Sequence, residues 1–462
     1  MSKIKKEIIE EIEQYIVNKM RELKIPGLSI GIIKNGKIAY AKGFGARDVE
    51  KNLPMNPETL FGIGSITKSF TAMMIMRLVE QGKIRLSDPV YKYMPFRLDD
   101  ETKPITIHHL LSHTSGIPEL DGANYSLDKV VKSTDILIPM SSMTDFLAHL
   151  NGAQDEIKFH PGQKFFYNND MYTCLGLIIE NVTKMKLSDY VQKNIFDPLE
   201  MRRATYSRQT FEGDSEKNIA TFYLLSREKN ALEVAPFPFS ELLDGPGAIL
   251  CSVNDLLTYM QFLVNEGRFK GGELIKPSSL AKLWTPVIKM HSDRVSYCYG
   301  WSEEKDFLGH RIIQHGGSVC VSSGHFMFSP EQKTGVIIGS NCGHAQVGFT
   351  ARAVFALILG EEIEKAIPEL RVQQKIEPIL GNYRSYKGIN KFDVEMKKNI
   401  LTATLTNDGG VNSFPLIVNN LDELKFTIAS ITPNKDLEIQ FYVDDKKQDV
   451  YATYERYVFH KI

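Results

Sequence analysis

The stretch from Phe61 to Gln81 constrains the fold more than any other part of this 462-residue chain. From Thr67 to Gln81 its residues are apolar on nearly every side of a helix, and Gly82 follows as a helix stop. A helix that is apolar all round has no face to turn to water. The pattern therefore predicts a central, buried helix around which a domain packs. The overall hydrophobic content, 43%, is ample for such a core.

Ser65 and Lys68 stand three residues apart where this helix begins. Residues at i and i+3 share one face of a helix, so the hydroxyl and the amine could meet. Serine is a poor nucleophile unless a base accepts its proton, and a lysine whose pKa is lowered by burial can be that base. The alternative is that Ser65 only caps the helix. The tetrad by itself does not separate these two interpretations.

The composition excludes several classes of function. A formal net charge of −1 offers no basic surplus for nucleic acid. No stretch is apolar and long enough to span a bilayer, and the charged first residues do not resemble a signal peptide, so we expect a cytoplasmic protein. The five cysteines form no C-x-x-C pair, which favours reduced, mostly buried thiols over disulfides or zinc. We expect neither a cofactor nor a metal.

Helices and strands alternate along the first three quarters of the chain in a recognisable order. Periodicity predicts a helix over residues 2–23, a buried strand over 27–34 and a long buried helix over 171–196. Residues 297–343 are rich in strands, and another helix is predicted over 348–359. Helices around antiparallel strands indicate an α/β (α+β) domain with one central antiparallel sheet.

A change of composition near Pro368 and Pro378 indicates a domain boundary. We expect a catalytic domain over residues 1–370, in which the mixed stretch 119–157 forms a helical insertion over the cleft. Residues 371–462 contain short alternating runs separated by turns, a pattern typical of a small antiparallel β barrel.

Three short motifs follow one another in the first domain: Ser65-x-x-Lys68, Tyr167-x-Asn169 and His315-Gly316-Gly317. Together they resemble the motifs of the penicillin-recognising serine hydrolases, which include class C β-lactamases, D-alanyl-D-alanine carboxypeptidases, D-aminopeptidases and related esterases. The second motif is Tyr-x-Asn, as in class C enzymes, instead of Ser-Asp-Asn. The third is His-Gly-Gly, as in D-aminopeptidases and several esterases, instead of Lys-Thr-Gly.

The resemblance covers about residues 5–360 and includes the accessory stretch Leu110–Gly116. A literal Lys333-Thr334-Gly335 competes for the third motif. It follows Ser329-Pro330, which has the composition of a surface turn, so we expect it to begin the next strand instead. His113 could be catalytic, but a histidine that braces its Ser/Thr/Gly loop is the favoured interpretation.

The resemblance implies roles for the residues of the first two motifs. Ser65 Oγ would attack a carbonyl carbon and form an acyl-enzyme. Lys68 and Tyr167 would share the proton transfers, and we expect the ammonium of Lys68 to lower the pKa of Tyr167. The spacing leaves open which of the two is the first base. Asn169 would orient Lys68 and the substrate amide.

The third motif would bind the substrate. The oxyanion hole would consist of the backbone N–H groups of Ser65 and Ser318, and Gly317 would let a substrate backbone approach the strand edge. His315 is only partly charged near neutral pH, whereas a lysine in its place would carry a permanent charge for a substrate carboxylate. Its presence disfavours β-lactams and favours peptides or esters.

We therefore predict a metal-free serine hydrolase, most simply a peptidase acting on small peptides, with D-residues among its substrates. A carboxylesterase with the same nucleophile is the main alternative. A true β-lactamase and a catalytically silent binding protein with the same fold are further alternatives. Loss of Ser65, Lys68 or Tyr167 would have favoured the last of these.

The C-terminal part, about residues 375–462, resembles the lipocalin-like barrel that is fused to some intracellular archaeal and bacterial members of this family. The resemblance rests on strand spacing and on openings such as Leu380-Gly-Asn-Tyr-Arg384. In such relatives the barrel mediates oligomerisation and encloses the active sites in a compartment that admits small peptides. It implies a homo-oligomer assembled through this domain.

Overall fold

The computed structural model describes residues 4–98, 102–131, 140–226, 228–290, 292–397, 400–407, 410–429, 437–444, 449–454 and 456–462. The chain divides into two compact units, Met1–Ile363 and Glu364–Ile462. Among the described residues, no helix has both the length and the apolar character that a bilayer crossing needs.

The first unit combines helices with a large sheet. Its helices are α1 (Lys6–Leu23), α2 (Thr67–Glu80), α3 (Ile107–Leu111), α4 (Tyr125–Val131), α5 (Met143–Asn151), α6 (Asn169–Thr183), α7 (Leu187–Val191), α8 (Arg208–Glu212), α9 (Val253–Val264), α10 (Pro277–Leu283) and α11 (Val347–Leu359). Its strands are β1 (Gly27–Lys34), β2 (Lys37–Asp48), β3 (Leu53–Pro54), β4 (Phe61–Gly62), β5 (Phe222–Ser226), β6 (Ala231–Ala235), β7 (Leu250–Cys251), β8 (Arg268–Phe269), β9 (Gly272–Glu273), β10 (Ile288–Lys289), β11 (Val295–Tyr297), β12 (Ser302–Phe307), β13 (His310–Ser318), β14 (Ser323–Ser329) and β15 (Thr334–Ser340).

Nine strands of the described chain form one antiparallel sheet in the order β10-β11-β12-β13-β14-β15-β1-β2-β3. Strand β1 lies between β2 and β15, so the start of the unit pairs with its end. The turn from β1 to β2 is Asn35-Gly36, and both residues have positive φ angles (52° and 74°), as a two-residue hairpin requires. The predicted antiparallel sheet with flanking helices is confirmed.

Helix α2 is central, as its apolar sequence predicts. All of its residues are buried except Arg77, Val79 and Glu80. The ring of Phe70 stacks on that of Tyr259 from α9, with centroids 4.1 Å apart. Because α2 is packed on all sides, its position is well defined, and so are the positions of the residues at its N-terminus.

One prediction for this unit is wrong. The helix expected over residues 171–196 ends at Thr183, and the next residue, Lys184, has a left-handed backbone (φ 58°) and caps it. Helix α7 then begins at Leu187. Of the predicted insertion 119–157, helices α4 and α5 are described, and residues 132–139 lie outside the described residues.

The second unit begins with short helices and continues as a barrel. Helix α12 (Ile363–Ala366) spans the division, and α13 (Pro368–Ile376) follows it. The strands are β16 (Gly381–Arg384), β17 (Lys391–Lys397), β18 (Ile400–Asn407), β19 (Gly410–Asn420), β20 (Lys425–Ile428), β21 (Leu437–Asp444), β22 (Asp449–Tyr454) and β23 (Tyr457–Lys461). Within the described part of this unit they form a closed antiparallel barrel, in which β16 pairs with both β17 and β23. The predicted small barrel is confirmed.

Candidate active site

Ser65 lies on a single 3-10 turn, Gly64–Ile66, that leads directly into α2. Gly64 has a φ of 53°, and a Cβ atom there would come within 2.4 Å of the backbone nitrogen of Ser318. Only glycine fits this conformation and this contact. The turn that presents Ser65 is therefore pressed against the end of β13.

The amine of Lys68 meets the hydroxyl of Ser65 inside the protein. Lys68 is fully buried in the first turn of α2, and its Nζ lies 3.1 Å from Ser65 Oγ. Nζ also donates to Asn169 Oδ1 at 2.6 Å and to the carbonyl oxygen of Pro246 at 3.1 Å. A neutral amine has two N–H groups and one lone pair. With the two N–H groups directed to Asn169 and Pro246, the lone pair is left for the hydroxyl of Ser65.

Burial lowers the pKa of Lys68 to about 7, because an ammonium loses its hydration inside the protein. The negative charge of Glu119 opposes this effect and raises the pKa. A large share of Lys68 is therefore unprotonated at neutral pH and able to accept a proton.

Tyr167 lies beside this pair, but its pKa shifts in the direction opposite to the one predicted. Its ring centroid is 4.7 Å from Lys68 Nζ, and its hydroxyl interacts with Ser65. Burial raises the pKa of Tyr167, and the hydrogen bond with Ser65 only partly offsets this. The expected lowering of the Tyr167 pKa is therefore wrong, because burial raises it. Tyr167 carries its proton at neutral pH.

Asn169 is the first residue of α6, and the preceding Asn168 caps that helix by accepting from the N–H of Met171. The Asn169 side chain donates from Nδ2 to Asn124 Oδ1 at 2.8 Å. This bond fixes the orientation of the amide, so its oxygen faces Lys68.

The edge of β13 completes the site. A Cβ atom at Gly317 would lie 1.9 Å from the carbonyl oxygen of Ile63 and 2.7 Å from the nitrogen of Ser65. Glycine at this position therefore lets the strand touch the turn that carries Ser65. The backbone nitrogens of Ser65 and Ser318, which were predicted to form an oxyanion hole, belong to these two segments in contact.

His315 is buried, with 7% of its surface exposed. Its Nδ1 donates to the carbonyl oxygen of Gly316 at 2.6 Å, and its Nε2 lies 3.2 Å from the hydroxyl of Tyr297. Burial, and then the charge of Lys68, lower the pKa of His315 to about 3. The sequence suggested a partial charge near neutral pH, but the structure leaves this ring without one.

His113 was predicted to brace its own Ser/Thr/Gly loop, and its side chain instead supports the second motif. It is fully buried with a left-handed backbone (φ 57°), and its Nδ1 accepts from the backbone N–H of Asn168 at 3.1 Å. Its ring packs on those of Tyr167 and Tyr297, with centroids 4.5 and 4.6 Å away. The competing Lys333-Thr334-Gly335 spans the turn into β15, which begins at Thr334, as predicted.

Two carboxyl groups beside the site, the buried Asp170 and the half-buried Glu119, were not found by sequence analysis. Glu119 accepts from the N–H of Asn169 at 2.7 Å, and burial raises its pKa to about 7. Asp170 accepts from the N–H groups of Gly122 and Ala123, and burial raises its pKa to about 6. Each holds a loop by backbone hydrogen bonds, which leave no pattern in a sequence. The sequence offered one signal for Asp170, its position directly after Asn169 of the second motif.

Comparison with known proteins assigns both units of the chain to known families. The family profile "Beta-lactamase" matches residues 12–360, and the profile "Pab87 octamerisation domain" matches residues 363–460. The structure of an octameric penicillin-binding protein homologue from Pyrococcus abyssi is 34% identical and superimposes with a TM-score of 0.89. The match covers 98% of this chain and 100% of that one.

Two more distant relatives each match about three quarters of the chain. Protein flp of Staphylococcus aureus (strain MW2) is 29% identical over 337 residues, which is 72% of this chain and 63% of flp, so the chain spans less than two thirds of that relative. A D-stereospecific amidohydrolase from Streptomyces shares the fold, with 23% identity, a TM-score of 0.61 and coverage of 75% of this chain and 97% of that one. The chain thus belongs to the β-lactamase and penicillin-binding-protein family of serine hydrolases, and it carries an octamerisation domain of the Pab87 type.

Proposed function

We propose that this protein is a serine peptidase that cleaves small peptides through an acyl-enzyme on Ser65. The observation that carries the proposal is the contact between Lys68 Nζ and Ser65 Oγ at 3.1 Å, made by an amine whose pKa is about 7. A nucleophile and a competent base within hydrogen-bond distance are the requirement for acyl transfer.

The proton transfers follow from the states of the two groups. Neutral Lys68 accepts the Ser65 proton as Oγ attacks the carbonyl carbon, and the N–H groups of Ser65 and Ser318 stabilise the oxyanion. As the C–N bond breaks, Tyr167 donates its proton to the leaving amine and is reprotonated by Lys68. Water then attacks the ester by the same steps in reverse. Lys68 is the first base in this scheme because Tyr167 is protonated at neutral pH.

Electrostatics favour a substrate with a free amino terminus. The neutral ring of His315 offers no positive charge to a substrate carboxylate, which disfavours β-lactams. Glu119 lies close enough to Lys68 to raise its pKa, and its carboxylate suits the α-ammonium of a peptide. The D-stereospecific amidohydrolase that shares the fold makes peptides with D-residues worth testing.

We propose further that the protein is a homo-octamer assembled through the C-terminal barrel. The match to the Pab87 octamerisation domain and the octameric Pyrococcus homologue support this. The barrel also exposes large apolar side chains of the kind that protein interfaces cover, among them Ile400, Val411, Ile417 and Val458.

The test compares the protein with its Ser65→Ala variant on L- and D-aminoacyl dipeptides, their N-acetylated forms, short-chain aryl esters and a chromogenic cephalosporin. Ser69→Ala is the matched control, because among the described residues the hydroxyl of this helix serine bonds to Ile66 O and Tyr259 and not to a residue of the three motifs. We expect peptide turnover that requires Ser65 and a free amino terminus, and that survives Ser69→Ala.

Ester turnover without peptide turnover would instead make the protein a carboxylesterase. Cephalosporin turnover with no peptide turnover would make it a β-lactamase. Equal activity of the parent protein and Ser65→Ala, or none in either, would contradict the Ser65 assignment.

A further inference from the structure

Tyr167, which donates a proton to the leaving group in the proposed mechanism, lies in a segment without regular secondary structure. Residues 164–168 form neither helix nor strand, and α6 begins only at Asn169. Residues 158–164, which precede this segment, are mostly exposed. The position of the Tyr167 hydroxyl therefore depends on contacts from elsewhere in the first unit.

His113 holds the residues on both sides of Tyr167. Its carbonyl oxygen accepts from the backbone N–H of Phe166 at 2.9 Å, and its Nδ1 accepts from the N–H of Asn168 at 3.1 Å. Its own backbone is left-handed (φ 57°), a conformation that persists in a non-glycine residue where the surrounding structure holds it. One residue, distant in sequence, thus fixes the main chain before and after the tyrosine.

The hydrogen bonds of the His113 ring indicate which of its atoms matters. Because Nδ1 accepts from an N–H group, the proton of the neutral ring is on Nε2. Nε2 is buried, and no described residue hydrogen bonds to it. A buried donor without a partner is unfavourable, and a phenylalanine would fill this space without one. The acceptor Nδ1 is therefore the feature that a histidine adds here.

The ring of His113 is itself held in place by other rings. It is fully buried, and the rings of Tyr172 and Tyr297, both buried, pack on it with centroids 5.0 and 4.6 Å away. On the ring of Tyr167 it packs at 4.5 Å, and the centroid of that ring is 4.7 Å from Lys68 Nζ. His113 therefore connects a rigid interior to the half-buried tyrosine of the active site.

We propose that His113 is a positioning residue, whose Nδ1 acceptor places the Tyr167 hydroxyl for proton transfer to the leaving group. The inference rests on the proposed acyl-enzyme mechanism. As the bond to the leaving atom breaks, its electron pair stays on that atom, and the Tyr167 proton joins it.

The leaving group decides whether this proton is needed. An amine or an alkoxide leaves only when it is protonated, whereas p-nitrophenolate is stable in water and leaves without a proton. Loss of the His113 acceptor should therefore slow acylation by peptides and alkyl esters and leave p-nitrophenyl esters almost unaffected. A residue that only supported the fold would affect all three substrates equally.

The test measures kcat/KM, which reports acylation, for a peptide, an ethyl ester and a p-nitrophenyl ester of one acyl group. His113→Phe keeps a ring and removes the acceptor. We expect it to lower the values for the peptide and the ethyl ester, relative to the p-nitrophenyl ester, by about tenfold to a hundredfold. His113→Asn has an oxygen at the position of Nδ1 and tolerates a left-handed backbone, so it should recover most of this loss.

His109→Phe is the matched control. The Nδ1 of His109 also accepts from a backbone N–H at 3.1 Å, that of Thr106. Among the described residues, no hydrogen bond or ring contact joins His109 to the three motifs. The ratios should stay within about twofold of those of the parent protein. If His113→Phe does not fold, His113→Gln carries the test, because its amide lies one carbon beyond the Nδ1 position.

A double substitution shows whether His113 acts through Tyr167. Tyr167→Phe keeps the ring and removes the proton donor, so it should cause the same selective loss by itself. Adding His113→Phe should then change the ratios by less than about threefold, because residues that act as one unit are not additive.

Four results would overturn the proposal: equal losses for all three substrates, unchanged ratios in the folded His113→Phe or His113→Gln variant, no recovery in His113→Asn, or full additivity with Tyr167→Phe. If the parent protein cleaved esters and no peptide, the proposed peptidase activity would fail, and the two esters would still test His113. Absence of turnover with all three substrates would overturn both proposals.

Discussion

The two units of this protein bury different kinds of side chain. Around Ser65, the first unit buries a lysine, two histidines and Asp170 and half-buries Glu119, and loss of hydration displaces the pKa of each of them. The interior of the barrel is instead a cluster of rings. Tyr383 stacks on Phe392 with centroids 4.7 Å apart, and Phe441 packs on Phe426 at 5.7 Å.

This difference shows what burial costs in each unit. Removing an ionisable group from water is unfavourable unless it loses its charge or finds partners. In the first unit, burial disfavours the charged form of Lys68, so a neutral amine lies beside the nucleophile Ser65. The described interior of the barrel is made of apolar side chains together with the hydroxyl of Tyr383, so we expect its packing to contribute mainly to stability. Substitutions in the two units should therefore affect different measurements.

The largest effect should come from Lys68→Met, which keeps the length of the side chain and removes the amine. We expect kcat/KM to fall by about 10⁴-fold, the upper end for general acid–base catalysis, because the amine accepts the Ser65 proton during acylation. Assembly and the thermal transition of the barrel should not change. A variant that retained more than a tenth of the activity would remove Lys68 from the mechanism.

Phe441→Ala in the barrel should have the opposite effect, a loss of stability and assembly rather than of the chemical step. Phe441 is buried among the rings of Tyr383, Phe392 and Phe426. Truncating such a residue costs about 4 kcal/mol in transfer and cavity terms. We expect this loss in denaturant unfolding of the barrel, and loss of the oligomer by sedimentation. Val443→Ala, two residues on in the same strand but exposed, is the control and should cost less than about 0.5 kcal/mol.

Lys68 and the barrel show what could be predicted from the sequence. Lys68 was predicted because its chemistry depends on a local spacing, i to i+3. The barrel was predicted because the alternation of its strands and the turns between them are also local patterns. The helix predicted over residues 171–196 is interrupted at Lys184, which has a left-handed backbone. A lysine does not by itself predict that conformation, so nothing in the sequence indicated the interruption.

Electrostatic properties were harder to predict than positions. The motif located Tyr167 and His315, but the predicted pKa of the tyrosine had the wrong direction and the histidine was given a partial charge that it lacks. Both errors have one cause. A pKa depends on how much protein surrounds a group, and this depends on residues distant in sequence, such as Tyr297 beside His315.

Glu119→Gln should have a smaller effect, a shift in the pH dependence of kcat/KM, and it should not affect the stability of the barrel. Neutral Lys68 is the active form, so kcat/KM should rise with pH through about 7 and then level off. The charge of Glu119 favours the ammonium and raises the Lys68 pKa. Its removal should move the rising limb to lower pH, by less than about one unit, or about 1.4 kcal/mol.

The measurement uses an aryl ester without an amino group, so that substrate binding by Glu119 does not contribute. Glu156→Gln, on an exposed turn, is the control and should leave the limb in place. A shift to higher pH in Glu119→Gln would contradict the assigned interaction.

The smallest expected effect is that of Tyr383→Phe, which tests whether the barrel interior tolerates the loss of a polar group. The Tyr383 hydroxyl donates to the carbonyl oxygen of Ile379 at 2.7 Å, and both residues are buried. Removing it leaves that carbonyl without its donor, at a cost of about 1 kcal/mol. Tyr442→Phe is the matched control, since its hydroxyl bonds to Gln440 on the outer face and water can replace it. Activity per assembled chain should be unchanged in both variants. If Tyr383→Phe lowered kcat without lowering the free energy of unfolding, the barrel would contribute to the chemistry, and the contrast between the two units would fail.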